Sequence, residues 1–499
     1  MKFFKKLRTK SERGQAIILI AFAMVGLIAI VGLMTDGGIL LIEYARLKRG
    51  IDAAAVASAQ QFRKGFTGLD LTSAAEEFLI LNQSDADNIE VYTCNPDGVI
   101  DTLHDPDLCG VPIRKLIRIN ATRTIGFGFL RVIGINGTTL SASSVGEAAS
   151  LDLVLVFDTS ASMAYETTGD PQRSDSPGDD PALCNPSQSC EPLESIKAIA
   201  QDFVDEMMFF PYDRVAIVTM TSQVPNGFRD SVTPQVLSDD PDVVRAAIDN
   251  IKVNQPAECD TPYGTCRDTC TQDEIDAAPP GSICDGKTAG YYLGETCPAR
   301  FAQGGDRSSC GSSNVGGALI RAGGEFTREP MRDDSFWVII ALVGGPANAS
   351  NPPDGVTFTD ANADNYPDDP LYFGFCPPST WDVPPSPPCR DASATSRHPV
   401  GDALYDADDY ARDMADFIAD PVDGQGITIF TIGLGELVQN TTIGDPDAGE
   451  QLLTYVAETA GDSPGVIANH GFYSYSPDAA GLEVIFGKIA ENIFTRISQ

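Results

Sequence analysis

Histidine is nearly absent from this chain: His104, His398 and His470 are the three in 499 residues. Each stands alone without a nucleophile motif such as G-x-S-x-G beside it, so a surface or capping role is expected for each and an enzyme is not. No P-loop is present to cradle a nucleotide. Positive charge is also scarce, with 34 Lys and Arg against 70 Asp and Glu and a net charge of −36. Several of the positive residues are spent before position 14, which leaves no basic face to neutralise phosphates and disfavours nucleic-acid binding. The excess acid reads as a solvated surface that favours divalent cations.

What is present begins with an uncharged stretch, residues 16–34, preceded by Lys2, Lys5, Lys6, Arg8, Lys10 and Arg13. At about 1.5 Å per residue it is just long enough to cross a bilayer core, and the positive side is expected to stay in the cytoplasm. The run is longer than a typical signal-peptide core and no small-x-small site closes it, so an anchor is expected; a cleaved signal peptide is the alternative. Helix formers continue through 39–49 and 51–59.

Asp158, Ser160 and Ser162 follow the apolar run 151–157. Such a run reads as a buried parallel strand, and the residues at its carboxyl end reach the crevice where open α/β sheets bind ligands. One acid and two hydroxyls at i, i+2 and i+4 are hard oxygen ligands suited to Mg²⁺, Mn²⁺ or Ca²⁺ rather than zinc. The competing reading is an Asp and two Ser that close a turn or cap the next helix. Further strands are predicted at 214–220, 336–342 and 426–433, and helices at 193–204, 410–418, 451–460 and 481–494. Alternation of this kind predicts an α/β fold, a doubly wound, mainly parallel sheet.

With these residues in place, 150–495 resembles the von Willebrand factor type A domain, whose metal-ion-dependent adhesion site opens with D-x-S-x-S. The stretch 311–319 is similar to that family's Gly/Thr-rich loop opening a helix, and 427–435 to its I-x-I-x-x-I-G-x-G strand. The resemblance implies that Ser313 takes the place of the metal-binding threonine, and that the metal's open position receives an acidic side chain from a protein ligand. One position departs from the pattern. Where the family reads Leu-Thr-Asp-Gly, this chain has Leu342-Val343-Gly344-Gly345, so a second carboxylate is missing and weak affinity is expected.

The amino-terminal segment resembles the TadE/TadG-like group of Tad pilus assembly proteins. The resemblance rests on Arg13-Gly14-Gln15 before the span, Asp36 and Gly38 after it, and Leu47 followed by Asp52-Ala53-Ala54-Ala55-Val56-Ala57. It implies a role in the pilus and secretion apparatus of a bacterial envelope. Leu19 stands where prepilin processing would call for Glu, so retention as an anchor is expected. Asp36 is expected to mark the outer membrane edge, and Asp52 to be either a partner contact or an ordinary buried position.

The domain plan that follows is a cytoplasmic tip (1–14), a membrane-crossing and continuing helix (15–62), a small α+β linker domain (63–149) with strands near 89–92, 113–121 and 138–144, and the type A region (150–499). Insertions near 164–192, 254–310 and 348–399 interrupt the last and are expected to ring the crevice. All 12 cysteines fall on the outer side, which predicts disulfides. Cys94 with Cys109, Cys184 with Cys190 and Cys376 with Cys389 are local candidates. Cys259, Cys266, Cys270, Cys284, Cys297 and Cys310 allow several pairings, with zinc at Cys266 and Cys270 as the alternative. Asp360, Asn362, Asp364 and Asp368 have the spacing of a structural Ca²⁺ loop but lack its Gly and its closing Glu; a polar turn is the alternative. The expected function is a membrane-anchored surface protein of pilus assembly or adhesion that binds protein ligands or apparatus components. The alternative is a structural scaffold with a metal-free type A domain.

Overall fold

The computed structural model describes residues 13–63, 65–95, 98, 100–164, 166–167, 181–220, 231–253, 313–347, 396–400, 407–440 and 448–497, with short pieces at 269–270, 276–278, 280, 291–292, 402 and 405. The chain divides into two compact units, one ending at Ala148 and one beginning at Ala149.

In the first unit, helix α1 (Arg13–Gln60) runs 48 residues without a break. At about 1.5 Å per residue it is about 72 Å long, more than twice a hydrocarbon core of about 30 Å. Its two halves differ in exposure. From Ile17 to Met34 the large apolar side chains all face outward, whereas Leu47, Ile51, Ala54, Ala55 and Ala57 are buried. By length and composition α1 is apolar enough to cross a membrane. The Ala-rich half allows a close approach to a small sheet. That sheet contains β1 (Asn88–Thr93), β2 (Leu103–His104), β3 (Lys115–Gly126) and β4 (Gly137–Ala148) in the order β2-β1-β3-β4. Period-2 alternation puts Ile117, Ile119 and Ala121 of β3 inward. Helix α2 (Gly68–Leu81) adds Leu71, Ala75 and Leu79 to this core and is opened by a capping box between Thr67 and Asp70. Cys94 and Cys109 are bonded.

The helix places its two acids differently from expectation. Asp36 is 1% exposed and accepts the backbone N–H groups of Gly128, Phe129 and Leu130 at 3.0, 3.0 and 2.7 Å. It caps a loop of its own unit and is buried by backbone donors, where a hydrated position was expected. Asp52 is half exposed, bound by Lys48 at 2.8 Å and by the Ser144 hydroxyl at 2.6 Å.

The second unit is built on strands β5 (Leu151–Phe157), β6 (Arg214–Thr219), β7 (Val232–Ser238), β10 (Phe336–Val343), β11 (Thr428–Leu434) and β12 (Tyr473–Ser476). A separate two-residue pair, β8 (Thr269–Cys270) with β9 (Tyr291–Tyr292), lies in an insertion. The six main strands order as β12-β11-β10-β5-β6-β7, parallel throughout except for β6 with β7. β7 was not expected from sequence: Pro234 interrupts its pattern, and its place at the sheet edge is where a missing N–H is tolerated. β12 is four residues long, too short for a periodic signal.

Mostly apolar runs at β5, β6, β10 and β11 arise because both faces are covered. On one face Leu153, Leu155, Phe157, Ile217, Ile340 and Phe430 pack under α4 (Leu193–Met207), α5 (Pro241–Asp249) and α10 (Leu482–Ile497). On the other, Val154, Val156, Ala216, Val218, Ile339 and Ala341 meet α6 (Val315–Phe326), α7 (Ala407–Ala419) and α9 (Ala448–Glu458). Two short helices, α3 (Pro181–Ser187) and α8 (Glu436–Gln439), complete the unit. Each fully buried Val, Leu, Ile or Phe contributes about 1.5–3 kcal/mol. The fold is the doubly wound α/β sheet expected from the sequence. Cys184 and Cys190 are bonded beside α4. The side chains of the other eight cysteines, and the Asp360 to Asp368 stretch, lie outside the described residues.

Candidate functional site

β5 and β10 are neighbours at the centre of the sheet. From β5 the chain proceeds outward to β6 on one side, while β10 opens the other half, so their carboxyl ends flank the switch point where a ligand crevice forms. Asp158 extends the ladder by one residue, its N–H donating to Leu342 O at 3.0 Å. This fixes the backbone at the strand tip and turns the side chain into the crevice mouth.

There Asp158 is 2% exposed and accepts hydrogen bonds through both oxygens. Oδ1 takes the Ser160 N–H at 2.8 Å, which closes the turn. Oδ2 takes the Ser313 hydroxyl at 3.0 Å and the Gly344 N–H at 2.9 Å. Ser160 Oγ and Ser162 Oγ lie 2.9 Å apart. Ser313 is held by the start of α6, where the Asn314 side chain caps the helix by accepting the Gly317 N–H at 2.8 Å. Asp158, Ser160, Ser162 and Ser313 are thus brought together across a separation of 155 positions.

The missing acid has a structural counterpart. A Cβ added at Gly344 would meet Met163 Cε at 2.1 Å, Ser162 Oγ at 3.2 Å and Asp158 Oδ2 at 3.5 Å. An acidic side chain at 344 would therefore point straight into the cluster. In its stead the Met163 methyl fills the space, and the Gly344 N–H supplies Asp158 with a donor. Neither feature was legible in the sequence: Met163 sits one place beyond the motif, on the 3-10 turn Ala161–Ala164.

The donor set is oxygen alone, one carboxylate and three hydroxyls, which fits Mg²⁺, Ca²⁺ or Mn²⁺ better than a softer ion. A serine that donates its proton to Asp158 keeps its lone pairs for a cation, so the hydrogen bonds seen here are compatible with ligation. Charge is the weak point. Among the described residues no group of three or more His, Cys, Asp or Glu gathers to hold a metal.

Two further polar groups of this unit escaped sequence reasoning because their members are far apart in the chain. Glu166 follows the 3-10 turn; burial, then the charges of Asp478 and Glu191, push its carboxyl up to about 7. At the opposite, amino end of the strands, Asp152 is wholly buried between Arg214 and Arg332. Among the histidines, His470 Nε2 lies 2.8 Å from Asp462, His398 Nδ1 lies 3.8 Å from Asp402, and His104 is exposed on β2.

No family model matches the chain. No curated protein matches it either. Among solved structures it is similar to the pilus adhesin SpaC of Lactobacillus rhamnosus GG in its open conformation, at 11% identity and a TM-score of 0.37, covering 77% of this chain and 32% of that one. The chain therefore spans about a third of the length of that adhesin. It is also similar to the vWF domain of the type V pili tip protein of Porphyromonas gingivalis, at 17% identity and a TM-score of 0.36, covering 70% and 97%. A third likeness is to proximal thread matrix protein 1 of the mussel byssus with a zinc-occupied MIDAS motif, at 12% identity and a TM-score of 0.29, covering 70% and 46%. At these TM-scores the likenesses are loose and assign no residue of this chain a role.

Proposed function

We propose that this chain is a single-pass envelope protein of the TadE/TadG-like kind, its amino terminus cytoplasmic, whose α/β unit binds a protein ligand outside the membrane through a weakly held divalent cation. The observation that carries the reading is that the Ser313 hydroxyl bonds Asp158 at the switch of the sheet, with the Ser160 and Ser162 hydroxyls paired on the turn that Asp158 closes. Asp158 would supply the charge, and the three hydroxyls neutral ligands. The cation would supply an electrophilic position for a carboxylate of the ligand. Binding is the proposed activity, with the hydroxyls and Asp158 acting as ligands.

A second reading, a pilus or secretion scaffold with a metal-free domain, is favoured by Met163. Its methyl fills the second acid's place, and Asp158 is already satisfied by three donors. Titration calorimetry with Mg²⁺, Mn²⁺ and Ca²⁺ separates the two. It is best done on the full chain in detergent, because truncation after α1 would remove Leu47, Ile51 and Ala54 from the first unit's core. Binding that is lost in both Asp158→Ala and Ser313→Ala supports the cation site. Equal binding in parent and variants moves the metal elsewhere, and no binding in any of them leaves the scaffold.

A further inference from the structure

The β3–β4 hairpin ends in a connector, residues 127–136, that is apolar where a solvent-facing loop would be polar. Phe129, Val132 and Ile135 are 46%, 86% and 48% exposed, Val132 on a one-turn 3-10 helix, Leu130–Ile133, and the other two flanking it. Acidic residues are absent from 108–146 in a chain with 70 of them, and Arg131 is exposed at the tip.

This tip is fixed to α1 at a particular height. The Asp36 carboxylate holds three consecutive N–H groups of the loop, Gly128 to Leu130. A Cβ added at Gly32 would lie 2.6 Å from Phe129 Cβ, so the absence of a side chain at 32 is what lets Phe129 lie against the helix. Gly32 is inside the uncharged stretch that ends at Met34, and Asp36 is about 3 Å beyond its end. Phe129 therefore overlaps the apolar span, and Val132 and Ile135 project from the same clamped loop.

We infer that the hairpin tip is a second membrane contact, inserted at the outer headgroup boundary beside the anchor helix. The occupant is the lipid surface: Phe129 covers the segment that lipid would surround, and apolar side chains with one Arg and no acid suit an interface with anionic headgroups. The Asp36 clamp makes helix and hairpin one wedge, which restrains rotation of the first unit about the anchor. This rests on the anchor reading of α1.

Photolabelling of the full chain in lipid nanodiscs tests it, using a phospholipid that carries a diazirine near the headgroup end of its acyl chain, followed by peptide mapping. Adducts are expected on both 17–34 and 127–136, and Val132→Glu is expected to lower tip labelling several-fold without changing that of α1. Adducts on 17–34 with none on the tip would overturn the inference while leaving the anchor intact. Absence from both would overturn the anchor and the inference with it. Tip adducts unaffected by Val132→Glu, or a tip protected by a second copy of the chain, would also refute insertion.

Discussion

Replacing Asp152 with Ala removes the carboxylate that Arg214 and Arg332 share in the buried cluster under β5 and β6. Arg214 grips it with Nε at 3.0 Å and Nη2 at 2.6 Å, Arg332 bonds the same carboxylate, and Ser335 donates at 2.9 Å. The arginines also tie this end of the sheet together, Arg214 donating to Pro330 O and Arg332 to Tyr212 O, each at 2.7 Å. Burial alone would raise the Asp152 carboxyl, but the Arg214 hydrogen bond and the two positive charges hold it below its ordinary value, so it is ionised in the folded state. With side chains 5% and 4% exposed, the two guanidiniums would lose the carboxylate they share in a dry site, with the charge of Asp213 remaining beside Arg332. Breaking a buried pair in this way costs about 3–5 kcal/mol. Replacing all three by apolar residues, Asp152→Leu with Arg214→Met and Arg332→Leu, is expected to recover most of that loss, because desolvation of the charges offsets much of their attraction. Urea unfolding followed through Trp337 fluorescence is the assay, since the indole N–H donates to Ser335 Oγ at 2.8 Å and to Arg332 O at 3.2 Å. A loss under about 1 kcal/mol for Asp152→Ala, below the range for a broken buried pair, or a triple variant no better than the single one, would refute the reasoning.

Glu166 gives a pH signature. Its folded carboxyl holds a proton up to about pH 7, while the unfolded one releases it near 4.5. Between those values the folded state binds more protons, so this group's contribution is fully present below 4.5 and is lost as pH rises through 7. Glu166→Gln is expected to leave Tm unchanged at pH 4 and raise it at pH 8; equal shifts at both would show that the carboxyl is not strained by burial. At Gly344, Asp alone is expected to destabilise through charge, because it sets a second carboxylate beside Asp158, whose Oδ2 lies 3.5 Å from the Cβ position, whereas the Met163 methyl at 2.1 Å is the movable end of a flexible side chain. Combined with Met163→Ala, Gly344→Asp should raise divalent-cation affinity by roughly tenfold, about 1.4 kcal/mol, in the same calorimetric titration. Unchanged affinity in the double variant would mean that position 344 does not face a cation.

The strands were legible wherever both faces are buried. Residues 151–157, 214–219, 336–343 and 428–434 are mostly apolar runs because helices cover them on either side, and such runs need no partner information to be recognised. Edge strands β7 and β12 gave no comparable signal, being half exposed, interrupted by Pro234 or only four residues long. The D-x-S-x-S turn was local in sequence and so could be read. That Ser313 bonds Asp158, and that Met163 stands where Gly344 lacks a side chain, was decided by the packing of α6 and β10 against β5. The same division holds in the first unit. Length and hydropathy by themselves specified a membrane-length helix, since transfer free energy depends on composition along one segment. The partners of Asp36 are 92 to 94 residues away, and only the folded hairpin brings their N–H groups to it. Likewise Asp152, Arg214 and Arg332 carry no spacing rule: charge pairing depends on distance in space, which the sequence order does not encode.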